Sequence, residues 1–216
     1  MSSSNSYESH RPAEIPCQKY LKVKTNTIVV FMIGLIVAIL ILVFDFVISI
    51  WNAYASGYNI GMLKKSRKGG FAKAAAYSGL GLAFVGITYV LIVVLSFIAY
   101  ALQYVSIGVV EYALALDFLV FGLMIIGFGF MVTIQSIIVA ANRKSFGSIA
   151  VAIWNTFAEV FDIASYVESF RGTLQIIKSD REGRDNAYMI IIIALLIGYL
   201  ITHAAYKHGI NKAYSH

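Results

Sequence analysis

Charge, cysteine and proline are what this sequence has little of. Of its 216 residues only 13% are charged, against about 25% in soluble globular domains. One cysteine and two prolines exclude a disulfide scaffold and a collagenous or proline-rich chain. What is present is apolar, with 59% hydrophobic residues and a mean hydropathy of +0.77. Uncharged stretches exceed the ~18 residues that mark a membrane span, so a soluble globular domain is excluded. The composition predicts an all-α, polytopic transmembrane helix bundle.

Residues 1–26 are rich in Ser, Asn and charge and show no basic region followed by a cleavage site. They are expected to form a retained, flexible polar tail. The single transmembrane domain is expected over 27–210, with spans near 27–51, 72–104, 110–141, 147–176 and 186–206 and a short basic tail at 207–216. Asp45 is the only charge from Thr25 to Leu63, none occurs from Ala74 to Val110, and Asp117 stands alone between Tyr112 and Asn142. The last span, Asn186 to Tyr206, has no Asp, Glu, Lys or Arg.

The fourth segment is different. Ile149, Val151, Ile153, Phe157, Val160, Phe161, Ile163 and Val167 favour insertion, by roughly −0.3 to −0.6 kcal/mol each. Glu159 and Asp162 oppose it, at roughly +2.5 to +3.5 kcal/mol each when ionised near mid-membrane. Such a segment crosses only if its acids are protonated, paired or turned to a polar cavity; otherwise it lies in the interface as an amphipathic helix. The expectation is therefore five spans, or four spans plus one interfacial helix. SRKGGFAKAAA and NRKSFGSIAVA both turn on Arg-Lys, a phenylalanine and small residues, as two hairpins of a parallel duplication would. The basic cluster Lys64, Lys65, Arg67, Lys68 and Lys73 argues for these turns on the cytoplasmic side, whereas Arg11, Lys19, Lys22 and Lys24 before the first span argue the reverse.

Chemistry-bearing residues are few. Asn155, Glu159, Asp162, Tyr166, Ser169 and Thr173 are spaced 4, 3, 4, 3 and 4 along one helix face. This seam of 3.5-residue period faces another helix, the bundle interior or water, because lipid would leave its carboxylates unsolvated. It reads either as the lining of a proton or ion path or as polar contacts between helices, with Asp45, Asp117 and Arg171 as further candidates. Ala75, Gly79, Ala83 and Gly86 in the second span and Gly122, Gly127 and Gly129 in the third allow close backbone approach.

Enzyme signatures are missing: there is no G-x-S-x-G, P-loop, H-E-x-x-H or cysteine cluster, and His203 and His208 are five apart, off the spacing that puts two ligands on one helix face. The reading is a non-enzymatic, multi-pass protein of a membrane, expected to be the cell membrane, without cofactor or metal. Its partners are the lipid bilayer and either further copies of itself or other membrane subunits. Nucleic acid is not among them, because the net charge of +6 sits in membrane-flanking turns. The function expected is a self-associating bundle or accessory subunit, with a proton or small-cation channel or transporter as the alternative.

Overall fold

A computed structural model describes residues 16–66, 70–179 and 184–215. The tail ahead of residue 16, the basic-turn residues 67–69 and the linker residues 180–183 lie outside these. Among the described residues there are five helices and no strand: α1 (Pro16–Lys65), α2 (Phe71–Ala101), α3 (Ile107–Arg143), α4 (Phe146–Ser179) and α5 (Arg184–Tyr214). Each is long and apolar enough to cross a membrane, α4 being the least apolar. The protein is an all-α transmembrane bundle. At ~1.5 Å per residue these helices exceed the ~30 Å hydrocarbon core, so they tilt or extend into the headgroup layer.

Helix α1 begins at Pro16, well ahead of the apolar stretch that opens the first span. A proline in the first turn lacks an N–H that would have no helical partner there in any case. Contacts divide the chain into residues 1–42 and 43–216. In the first unit α1 shows exposed apolar side chains, among them Ile33, Leu35, Ile36 and Leu40.

In the second unit short turns enforce antiparallel neighbours. At the end of α2 the Tyr104 N–H donates to the Ala99 carbonyl and the Gln103 N–H to the Tyr100 carbonyl, both at 2.9 Å. This closure needs a left-handed residue, here Gln103 at φ 60° where glycine is usual. Lys144, at φ 51°, ends α3. Ser145 caps α4, its hydroxyl oxygen accepting the Ser148 N–H at 3.3 Å.

The core lies among α2, α3 and α5, where Val85, Ile92, Val109, Tyr112, Ala113, Phe121, Ala187, Ile190 and Ala194 are buried together. The Tyr112 and Tyr188 hydroxyls are 3.3 Å apart, and the Arg184 guanidinium lies 5.7 Å from the Tyr112 ring centroid. Residues 43–65 of α1 pack on α2 and α5, and close approach there depends on small side chains. A Cβ added to Gly57 would collide with the Tyr206 carbonyl, and one added to Gly209 with the Tyr54 carbonyl. Helix α4 packs along α3.

Candidate functional site

The polar face of α4 meets α3. Small residues of α3 make room for it: a Cβ on Gly122 would lie 2.5 Å from the Tyr166 ring, and one on Gly129 would run into the Glu159 carboxylate. One turn further the Thr133 hydroxyl donates to the Asn155 carbonyl at 3.3 Å. The Tyr166 hydroxyl donates to the Leu119 carbonyl at 3.1 Å, and its ring stacks on Phe118 with centroids 5.2 Å apart.

These contacts share one register, so seven residues along α3 correspond to seven along α4. The same register sets Ala115 opposite Thr173 and Ser136 opposite Ala152. On α4 the positions Ala152, Glu159, Tyr166 and Thr173 are all buried. Between them Asn155 and Asp162 are half-buried and Ser169 is exposed. The seam is thus asymmetric, with one heptad position buried against α3 and the other at its margin. Matching small residues, Ala115, Gly122, Gly129 and Ser136, recur every seven positions on α3. The sequence points to the α4 stripe and to Gly122 and Gly129 but not to the ladder they share with Ala115 and Ser136, although its spacing equals that of the stripe.

Glu159 is only 6% exposed, and its Oε1 has no hydrogen-bond partner among the described residues. Turning it towards Gly129 removes the carboxylate from lipid, where exposing it costs most. Asp117 on α3 is 3% exposed, and its Oδ1 is likewise unpartnered. It lies away from Glu159, twelve residues along α3 from Gly129, or about 18 Å at the helical rise. Asp45 is exposed on α1. Tyr89 of α2 is within electrostatic range of both Asp45 and Asp117. Arg171 is exposed on α4, on the side turned from α3. The candidate polar residues therefore divide: Glu159 is brought to the α3 contact with Asn155, Asp162 and the exposed Ser169 at its margin, whereas Asp45, Asp117 and Arg171 stand apart from it.

On α2, Gly86 meets the Ser49 hydroxyl and Gly79 the Ser56 hydroxyl of α1. Ala75 and Ala83 are buried. Further buried hydroxyls without a partner among the described residues are those of Thr88, Ser96 and Thr202, with Thr88 lying against Gly198 of α5. A cleft of about 680 Å³ beside the α2–α3 turn is lined by Tyr100, Gln103, Tyr104 and Asn186 among others, and an apolar groove of about 420 Å³ by Ile137, Ala152, Ile153, Thr156, Phe157 and Val160. Neither is lined by a carboxylate. Among the described residues no group of three or more His, Cys, Asp or Glu is placed to hold a metal ion.

Comparison with protein-family models, curated proteins and solved structures finds no match.

Proposed function

We propose that this multi-pass protein has an assembly role in its membrane, as a self-associating bundle or a non-enzymatic accessory subunit. The observation that carries this reading is the use of the α4 stripe: Glu159 and Tyr166, two of its three buried members, are packed against Gly129 and Gly122 of α3. Polar side chains at this face join two helices, as such groups commonly do in lipid. The outward side of α4 is left apolar and open, with Ile153, Phe157, Val160 and Phe161 each more than 60% exposed.

The test is chemical crosslinking in native membranes followed by extraction into lipid nanodiscs and mass measurement. The expected result is a species heavier than the 23.8 kDa protomer. Monomers alone, under both treatments, would remove the assembly reading.

A second reading is passage of protons or small cations, favoured by the unpartnered oxygens of Asp117 and Glu159. Its test is flux in reconstituted vesicles, expected to fall in Glu159→Gln or Asp162→Asn while the fold is retained. An unchanged flux in both variants would leave these acids with a packing role only.

A further inference from the structure

Resting on the assembly reading, the geometry points to a specific interface: the outward face of α4 in one copy docks on α1 of the next, with Arg171 pairing with Asp45 of the neighbouring copy. Both groups are exposed on the flanks of the 43–216 unit, since α1 packs on α2 and α5 while α4 packs on α3. Neither makes a hydrogen bond or ion pair with another described residue. A charge exposed to hydrocarbon is costly, and an opposite charge on a neighbouring helix removes that cost from both.

Depth supports the pairing. Copies in one membrane share an orientation, so groups that meet across an interface must lie at equal depth. Ser49 meets Gly86 and Ser56 meets Gly79, which sets Asp45 level with Val90 of α2. Gly81 meets Phe128 and Gly79 meets Val132, which sets Val90 level with residues 119–121 of α3. The α3–α4 register carries this level to residues 167–169 of α4. Arg171 is two to four residues beyond, about 3–6 Å at ~1.5 Å per residue, a gap its long side chain spans. Glu168 shares the outward face one turn earlier, so the acid that Arg171 meets is what the experiment must identify.

The α4 face of one copy and the α1 face of the next are different surfaces, so the contact is head-to-tail and propagates into rings or chains rather than stopping at a dimer. Around the ion pair α4 contributes Val160, Phe161 and Ala164, and α1 contributes Phe44, Val47 and Ile48, all exposed in the protomer.

The experiment uses the full chain with Cys17→Ser, carrying Ile48→Cys and Ala164→Cys, which the same register sets at one depth. Oxidation in native membranes is expected to give a ladder of disulfide-linked multimers. Asp45→Arg or Arg171→Asp alone should reduce the ladder about tenfold by juxtaposing like charges. The pair of substitutions together should restore it, which also shows that the variants fold, and Glu168→Gln should leave it intact. A full ladder in both single variants, no rescue in the double variant, or loss in Glu168→Gln would overturn the Arg171–Asp45 pairing. No disulfide ladder, with multimers still caught by amine-reactive crosslinking, would overturn this interface and leave the assembly reading standing. Absence of multimers by every reagent would remove both.

Discussion

The Glu159 carboxylate lies against the backbone of Gly129, seven residues along α3 from Gly122, which receives the Tyr166 ring. A Cβ at 129 would occupy the space of the carboxylate, which would then have to swing out of the α3 contact. Two features that read separately in sequence, acids on one helix and glycines on the next, are halves of one contact.

Gly129→Ala is therefore expected to destabilise the α3–α4 pair by about 1–3 kcal/mol, the usual cost of overpacking. Glu159→Ala vacates the same space, so the double variant should recover part of the loss. The check is a double-mutant cycle on reversible unfolding in mixed micelles, with a coupling of about 0.5–3 kcal/mol between contacting positions. Additive effects would mean that the two residues do not touch.

Tyr166 contributes both a ring and a hydroxyl to this seam. Tyr166→Phe keeps the ring over Gly122 and loses only the bond to the Leu119 carbonyl. The expected loss is about 0.6 kcal/mol, the average for hydrogen bonds within a membrane protein. Tyr166→Ala also removes the packing against Phe118 and should cost about 3–5 kcal/mol. Equal losses in the two variants would place the stabilisation in the hydroxyl instead of the ring.

Where α1 crosses α5 the limit is backbone against backbone. Gly57→Val and Gly209→Val are expected to prevent this packing, because the added atoms meet the main chain of Tyr206 or Tyr54, which cannot rotate away. Gly127→Ala is the control: nothing lies within 4 Å of a Cβ there, so it should be neutral or stabilising by about 0.5–1 kcal/mol through helix propensity. Yield of monodisperse protein and thermal aggregation temperature separate the two classes.

The helical class and the apolar cores of the spans were legible because hydrocarbon demands long uncharged runs, and those from Ala74 to Val110 and from Asn186 to Tyr206 cannot be mistaken. The face of α4 was legible too, since Asn155, Glu159, Asp162, Tyr166, Ser169 and Thr173 carry the spacing of a seam. Its partner was not, because a period on one helix does not name the helix it meets. Only pairing it with the seven-residue recurrence of Ala115, Gly122, Gly129 and Ser136 would have shown it. Asp45 and Arg171 read in sequence only as further polar candidates; depth and exposure place them on opposite flanks, which needs three interhelical registers that sequence does not contain.

Helix α4 also decides topology. Its apolar side chains do not outweigh ionised Glu159 and Asp162 in isolation, so its crossing depends on the shelter that α3 provides. In a Cys17→Ser background, single cysteines at Ser66 and Ser145 are expected to react with a membrane-impermeant maleimide from one side, and cysteines at Gln103 and Lys178 from the other. Labelling of Lys178→Cys from the Ser145 side would mean that α4 does not cross. Combining Lys178→Cys with Gly129→Leu sharpens the test: filling the Glu159 site removes the shelter, so the labelling of Lys178→Cys should shift towards the Ser145 side while Gln103→Cys keeps its own. If the shift does not occur, insertion of α4 is independent of the Glu159–Gly129 contact, and the crossing of the fourth span must rest on protonation or other pairing of its acids.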